Sequence, residues 1–457
     1  MTVTMRQSNA SDAKPGWLPL GAICLGYFLV ILDVTVVAVA IPAVGTDLRA
    51  GLNALQWVVD GYTLTFAGLL LFCGGLNDRL GGKSVFLTGL VVFTAASVVC
   101  GLAPSAGALI GARLVQGAGA ALMVPASLAL LRNAYPDRGS RARAFGVWGM
   151  VAGIAAGAGP VLGGVLVFTV GWRWVFFLNI PFGMLGFLLT TRYVPAPASG
   201  GNRTGLDLPA QVTGALCLGG LVTALIEAGA RGWSSPVVLG GIGLFMLALP
   251  VFLLLERRSR APMLPLELFG GQRFCASAVI GVLLNLGFYG LLFVVPLYFQ
   301  RIQHFSALMI GVAMLPMAMM PMISSPLSGW FAARTGPYLP MAFGLVIGGI
   351  GLLSWLLAGQ DSNYSALVGP MVLTGFGTGF TMPAATSSIM EEAPAELGGA
   401  ASAVFNVARQ TGSAIGVALA GTLVAGSGLV AGLHADVIVG GLSFLVAAAL
   451  AVIIVRP

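Results

Sequence analysis

The chain has 457 residues, of which 58% are hydrophobic and only 8% are charged. A soluble domain averages about 25% charged residues, so this composition excludes a soluble protein, and the recurrent long apolar runs indicate many transmembrane helices. The net charge of +7 does not indicate a nucleic-acid partner, because basic residues in a membrane protein mainly set its orientation.

Helices can be placed in chain order from runs of about 20 apolar residues, the length that crosses the hydrocarbon core. Residues 1–16 form a polar tail, and the long run that follows lacks a small-residue cleavage site, so we interpret it as a span and not as a signal peptide. Each span must be helical because lipid offers no water to an open backbone. The fourteen predicted spans are 17–42, 53–76, 84–103, 107–131, 143–168, 173–193, 209–229, 236–255, 273–299, 306–332, 338–358, 364–390, 400–424 and 434–455.

The basic residues are distributed unequally between the two sides of the membrane. Because the number of spans is even, both termini lie on the same side. Sixteen Lys and Arg residues fall on that side and four on the other, while Arg113 and Arg409 lie within spans. Cytoplasmic loops carry the excess of Lys and Arg, so we predict that both termini are cytoplasmic.

A weak internal repeat divides the chain. Residues 74–81 resemble residues 329–336, and residues 117–136 resemble residues 375–394 at nearly the same offset. Two parallel six-helix halves with a substrate site between them describe the major facilitator architecture. We therefore predict an all-α membrane protein with the major facilitator fold. It comprises a cytoplasmic tail (1–16), a first half (17–193), a linker (194–271) with two inserted helices (209–229 and 236–255), and a second half (272–455).

The stretch GGLNDRLGGKS, residues 74–84, ends like a phosphate-binding loop. Asn77 stands where that loop requires its first glycine, and the stretch is a turn between two spans instead of a loop between a strand and a helix. We therefore predict that the protein binds no nucleotide.

The same stretch resembles the loop between helices 2 and 3 of the major facilitator superfamily, although Asn77 and Gly82 depart from the signature. The resemblance implies a cytoplasmic gating loop whose acidic residue pairs with basic groups and with a helix N-terminus. Simple anchoring by positive charge is the alternative interpretation of the two basic residues. The matching residues are Gly75, Asp78, Arg79, Gly81 and Lys83.

Further stretches resemble motifs of the fourteen-helix drug:proton antiporters of this superfamily. They are ILDVTVVAVAIPAV from Ile31, RLVQGAGAAL from Arg113, GAGPVLGGVL from Gly157, GWRWVFFLNIP from Gly171 and ARQTGSAIG from Ala408. Within that family the chain looks closest to the methylenomycin-resistance type. The resemblance spans nearly the whole chain. It implies proton-coupled efflux of drugs by alternating access across the bacterial cytoplasmic membrane, with protons as the coupling ion, no other cofactor and a monomeric protein.

Helix 5 carries the antiporter motif. Glycines on one helix face allow close backbone approach, and a proline inside the helix removes an internal hydrogen bond and bends it. A bend where the halves meet suits a rocking motion, and plain helix packing is the alternative interpretation. The motif residues are Gly153, Gly157, Gly159, Pro160, Gly163 and Gly164.

Asp33, Asp60 and Arg113 lie within spans at a similar predicted depth, about 10–14 Å below the outer helix ends at a rise of 1.5 Å per residue. Ionisable residues inside a membrane are costly and mark functional sites. Burial disfavours a charged carboxylate and a nearby guanidinium favours it. We therefore predict one cluster in which Asp33 and Asp60 carry protons and Arg113 tunes them, with a static packing pair as the alternative.

Neither a catalytic constellation nor metal-ligand spacing is evident in the sequence, and the five cysteines lie in apolar runs, so we predict neither an enzyme nor a metal site. Met-rich and aromatic helix faces adapt to apolar ligands, which favours a small apolar or cationic drug-like substrate. Ordinary helix packing is the alternative for each wall residue, and Arg409 can either face the cavity or snorkel. The predicted wall residues are Asn285, Phe288, Tyr289, Met314 and Arg409.

Two other functions are compatible with such a sequence. One is a major facilitator protein that imports or exports an endogenous metabolite, which the antiporter motif in helix 5 disfavours. The other is a membrane scaffold or sensor, in which ionisable residues inside the membrane would be an unexplained cost.

Overall fold

A computed structural model describes residues 17–135, 138–195, 208–259, 266–393 and 397–455. These residues form α-helices and two short 3₁₀ helices, and no strand is present among them. The predicted N-terminal tail and parts of the predicted linker lie outside the described residues, as does the side chain of Asp78.

The helices before the linker pack into one bundle. Helix α1 lies against α5 and α7, α2 lies against α4, and α3 lies against α4 and α7. Helix α1 continues past Pro42, the predicted end of the span, to Asp47, although a proline inside a helix removes one backbone hydrogen bond and crowds the preceding turn. The bounds are α1 Trp17–Asp47, α2 Leu52–Leu80, α3 Gly82–Gly101, α4 Ala106–Ala134, α5 Arg138–Thr169, α6 Trp174–Phe177 and α7 Asn179–Tyr193.

The helices after the linker form a second bundle with the same arrangement. Helix α10 packs on α15 and α16, α12 packs on α14, and α13 packs on α14 and α16. The two bundles meet where α2 contacts α15, where α5 contacts α11 and α12, and where α1 contacts α10. The bounds are α10 Gln272–Arg301, α11 Ala307–Ala313, α12 Leu315–Thr335, α13 Tyr338–Ser354, α14 Tyr364–Glu391, α15 Gly398–Ser427 and α16 Leu429–Val455.

The two remaining helices, α8 Leu208–Arg231 and α9 Pro236–Arg258, form a hairpin beside the junction of the bundles. Helix α8 contacts both α2 and α15. It is tied to the first bundle by Asn53, whose side-chain amide donates to the Ile226 carbonyl at 3.2 Å. It is tied to the second by Thr422, whose hydroxyl donates to the Leu225 carbonyl at 2.5 Å. The hairpin therefore bridges the two bundles.

Eleven helices of the described part are long and apolar enough to cross a membrane. They include both helices of the α8–α9 hairpin and leave out α2, α14 and α15, which are 29, 28 and 30 residues long and pack among the others. The chain is therefore an all-helical, multi-pass membrane protein.

The weak sequence repeat is visible as repeated packing. Gly117 of α4 approaches the Tyr62 carbonyl of α2 so closely that a side chain would not fit, and Gly375 of α14 approaches the Met317 carbonyl of α12 in the same way. Each bundle also turns between its second and third long helices on a glycine with positive φ. The angle is +82° at Gly81 and +79° at Gly336, a conformation that glycine adopts without strain.

Candidate functional site

Asp33 of α1 and Arg113 of α4 form an ion pair inside the first bundle, with Asp33 Oδ2 bonded to Arg113 Nη1. Each residue is only 1% exposed. The guanidinium has two further acceptors: its Nε donates to the Val58 carbonyl of α2 at 3.0 Å and its Nη1 donates to Gln116 Oε1 at 2.8 Å. A buried ion pair is tolerated only where such additional hydrogen bonds offset the cost of dehydration, and this pair has them.

The carboxylate of Asp33 is also held by neutral donors. Gln116 Nε2 and Asn179 Nδ2 both donate to Asp33 Oδ1, at 2.8 Å and 3.0 Å. The same two amides donate to the Ser97 hydroxyl, at 2.9 Å and 3.2 Å. The carboxylate therefore lies in a closed polar network built from α1, α3, α4 and α7. We call Asp33, Arg113, Gln116, Asn179 and Ser97 the carboxylate network.

Three members of this network, Ser97, Gln116 and Asn179, were not predicted. Two signals point to Gln116: it lies in the quoted stretch RLVQGAGAAL, and it follows Arg113 by three residues and so lies on the same helix face. Asn179 is the first residue of α7, directly after the single turn of α6. At this break between the two helices its side-chain amide points toward Asp33 and donates to it.

Two aromatic rings pack against the Arg113 guanidinium and cover that side of the carboxylate network. The Arg113 guanidinium carbon lies 4.3 Å from the centre of the Tyr62 ring and 5.9 Å from that of Phe176. Cation–π contacts of this length are favourable and strengthen where water is excluded. A cavity of about 20 Å³ between the bundles reaches Tyr62, Arg113 and Tyr289, which is room for roughly one water molecule.

Asp60 does not join the predicted cluster. It is completely buried and neither carboxylate oxygen has a hydrogen-bond partner. One turn before it, the Gln56 amide donates to the Ala418 carbonyl of α15 at 2.8 Å, and Trp57 Nε1 donates to Glu227 of α8 at 3.2 Å. Asp60 follows these residues by four and three positions, so it lies on the face of α2 that is turned toward α15 and α8. Its predicted depth matches that of Asp33, but its direction differs.

Replacing Gln116 with leucine tests the network. The change removes donors to Asp33 and Ser97 and an acceptor for Arg113, and leaving buried polar groups unsatisfied costs about 1–3 kcal/mol. We expect a lower unfolding temperature in detergent and at least a tenfold loss of transport. Gln303→Leu is the matched control, because the Gln303 amide donates to the Tyr298 hydroxyl and the Ser362 carbonyl, outside the carboxylate network, and its transport rate should stay within twofold of wild type. Wild-type transport by Gln116→Leu would contradict the prediction.

The antiporter-motif glycines lie on two faces of α5. Side chains at Gly159 and Gly163 would collide with α1, at the Thr35 hydroxyl and at the Val36 carbonyl. A Cβ at Gly164 would lie 2.9 Å from the Ala307 carbonyl of α11. Gly157, one turn from Pro160 and on the same side as Gly164, faces the sulfur atoms of Met319 and Met322 at 3.3 Å, whereas Gly153 faces open space. The motif glycines therefore let α5 pack tightly against α1 of its own bundle and against α11 and α12 of the second bundle.

The predicted gating residues surround the single-residue turn at Gly81, which joins α2 to α3. Gly75, Asp78 and Arg79 belong to the last two turns of α2. Lys83 Nζ donates to the Thr191 carbonyl near the end of α7 at 2.9 Å, so it binds within the first bundle. The gating role of this loop stays a prediction.

The predicted wall residues have different surroundings. Met314 is 1% exposed in the apolar core at the break between α11 and α12, and Asn285 is buried with its amide bonded to the Gly281 carbonyl at 2.8 Å. Phe288 and Tyr289 are half-buried, with ring centres 5.5 Å apart at nearly a right angle. Arg409 is half-buried and close enough to Tyr289 to interact with it electrostatically. Tyr289 and Arg409 thus lie within electrostatic range of each other.

Two helical bundles with the same helix arrangement, packed side by side and with a buried ion pair inside the first, define a membrane transporter built from two repeated halves. A family model described as the Major Facilitator Superfamily matches residues 23–417, and the chain belongs to this superfamily. It is a membrane transporter and not an enzyme, which confirms the prediction.

Relatives with known names resemble the chain over most of its length. The methylenomycin A resistance protein of Streptomyces coelicolor is 34% identical over 430 residues, covering 92% of this chain and 90% of the relative. The protein of the same name from Bacillus subtilis is 37% identical over 418 residues, covering 91% and 89%. The tetracenomycin C resistance and export protein of Streptomyces glaucescens is 36% identical over 419 residues, covering 90% and 76%. These matches confirm the resemblance to methylenomycin-type exporters.

Proposed function

We propose that this protein exports antibiotics or similar drug-like compounds in exchange for protons, by alternating access across the cytoplasmic membrane of a bacterium. The observation that carries the proposal is the buried Asp33–Arg113 ion pair inside the carboxylate network. The substrate class is supported by the names of the relatives, which are resistance and export proteins. The use of protons is supported by the family resemblance and by the presence of a carboxylate where a charge is costly.

Asp33 is the proton-carrying group in this proposal. The charged carboxylate accepts hydrogen bonds from Arg113, Gln116 and Asn179. A proton on Asp33 cancels its attraction for the guanidinium. Because Arg113 also donates to the Val58 carbonyl of α2, its release alters the contact among α1, α4 and α2. Protonation is thereby coupled to helix packing. Asp60 is a second, separate carboxylate on the other side of α2.

The proposed membrane arrangement has fourteen spans. The eleven apolar helices together with α2, α14 and α15 would supply them, with both termini in the cytoplasm, as the distribution of basic residues predicts. The halves, 17–193 and 272–455, move about the site, and the Gly75–Lys83 loop lies at the cytoplasmic end. The linker, 194–271, contributes the α8–α9 hairpin that bridges the halves.

Accumulation assays in a bacterial host that lacks its own efflux pumps test the function. Cells that express the protein should accumulate less of at least one compound from an antibiotic panel than cells with an empty vector. A protonophore should abolish the difference, because the gradient drives exchange. Inverted vesicles with an internal pH-sensitive dye should lose protons when that compound is added. Efflux that persists without a proton gradient would contradict proton coupling, and increased accumulation would indicate an importer.

A further inference from the structure

Arg409 has no acidic partner among the described residues. It lies roughly three turns into α15, which is well inside the membrane at 1.5 Å per residue. Its Nε is buried without a hydrogen-bond partner, and its Nη1 lies 3.5 Å from Asn406 Oδ1, at the limit of a hydrogen bond. The ion pairs Asp33–Arg113, Asp47–Arg173, Glu227–Arg231 and Glu392–Arg273, between residues that the structure describes, do not include Arg409. A charge in this position is costly and needs a function.

The groups around Arg409 come from both bundles. Tyr27 of α1 and Tyr289 of α10 are close enough to Arg409 to interact with its charge. Trp148 of α5 stacks on Tyr27, with ring centres 3.7 Å apart and planes 7° from parallel. Trp148 Nε1 is itself buried without a hydrogen-bond partner. Four helices thus place a guanidinium within electrostatic range of two phenols, one of which stacks on an indole.

This set of groups is rich in donors. Guanidinium and indole N–H groups can only donate, and tyrosine hydroxyls can donate as well. The stacked Tyr27–Trp148 pair offers an apolar surface directly beside them. The complementary ligand has acceptor oxygens with negative charge, which a guanidinium binds in a bidentate manner, on an apolar or aromatic body.

We propose that Arg409, with Tyr27, Tyr289 and Trp148, binds the carboxylate of an otherwise apolar substrate, so that the exported compounds are organic anions. The inference rests on the proposed export function and specifies its substrate class. Asp33 is already paired with Arg113, and Asp60 lies on the face of α2 turned toward α15 and α8, so a cationic group beside Arg409 would meet an unpaired positive charge. The proposed class differs from the small apolar or cationic substrate expected from the sequence.

A matched ligand series tests the assignment with the purified, full-length protein in detergent. The probes are 1-naphthoate, the neutral 1-naphthamide and the cationic 1-naphthylmethylammonium, with a second acid and amide pair on a larger ring system. Isothermal titration calorimetry should show that at least one acid binds at least tenfold more tightly than its amide, and that the cation binds most weakly. A protein that binds neither acid more tightly than its amide overturns the proposal.

Variants locate the site. Arg409→Gln should weaken binding of the acid at least tenfold and leave binding of the amide within twofold, which also shows that the variant is folded. Arg409→Lys should be intermediate, because an ammonium keeps the charge but loses the planar fork. Arg301→Gln, at the exposed end of α10, is the control and should bind as wild type. Unchanged affinity of Arg409→Gln for the acid overturns the proposal. Because binding needs no gradient, acid-selective binding without proton-driven export would count against the coupling mechanism alone.

Discussion

Asp33→Asn is expected to abolish proton-driven export. Asparagine has the shape of aspartate and can still accept hydrogen bonds from Gln116 and Asn179, but it cannot take up a proton. The variant should also unfold at a lower temperature, because Arg113 is then a buried charge without a partner, and breaking a buried pair costs about 3–5 kcal/mol. Substrate-induced proton release from inverted vesicles and thermal unfolding in detergent measure the two effects.

The double variant Asp33→Asn/Arg113→Gln distinguishes a proton carrier from a static packing pair. It removes both charges, so much of the lost stability should return. If the pair only fixes helix packing, transport should return with the stability. If Asp33 carries the proton, transport should stay absent, and recovery of transport would therefore contradict the proposed mechanism.

The exposed pair of Asp47 and Arg173 supplies the control for these variants. Its side chains are 48% and 39% exposed, and exposed ion pairs contribute at most about 1 kcal/mol. Asp47→Asn should therefore change neither transport nor unfolding temperature appreciably. If Asp47→Asn lost as much transport and thermal stability as Asp33→Asn, the assays would be reporting general damage to α1.

Gly311→Val is expected to stop transport by a different route. Gly311 of α11 lies against Gly164 of α5, and a side chain there would collide with the Pro160 carbonyl. The obstacle is backbone, so no rotamer relieves the collision, and the halves cannot close at this contact. We expect transport to fall at least tenfold and the two halves to stay apart where α5 meets α11.

Spin labels at the exposed residues Thr169 and Asp361 measure that separation in a cysteine-free background. Thr169 ends α5 and Asp361 lies between α13 and α14. Their distance should increase in Gly311→Val relative to the parent protein. Gly149→Val, in α5 but facing open space and outside the antiporter motif, is the control and should leave distance and transport unchanged. An unchanged distance with normal transport in Gly311→Val would contradict the assigned role of this contact.

The positions of most helices follow from the sequence. Apolar run length locates spans because the thickness of the hydrocarbon core sets a minimum helix length, and the observed helices overlap the predicted runs, although the runs 173–193 and 306–332 are each divided into two helices. The repeat was detectable because close helix crossings at Gly117 and Gly375 admit only a hydrogen in place of a side chain. The pairing of Asp33 with Arg113 was also predictable, since depth can be counted at 1.5 Å per residue.

The sequence by itself therefore determined the class of protein and the approximate positions of the helices, and it predicted that Asp33 and Arg113 form a pair. Only the tertiary structure decided which side chains meet, because the direction of a side chain around its helix has meaning only once the neighbouring helices are known. That direction turns Asp60 toward α15 and α8 and away from Asp33. It also brings Ser97 and Asn179 into the carboxylate network, although such small polar residues carry no distinctive spacing. The same packing places Arg409 within electrostatic range of Tyr289. The sequence alone did not determine whether the Arg409 side chain faces the cavity or snorkels.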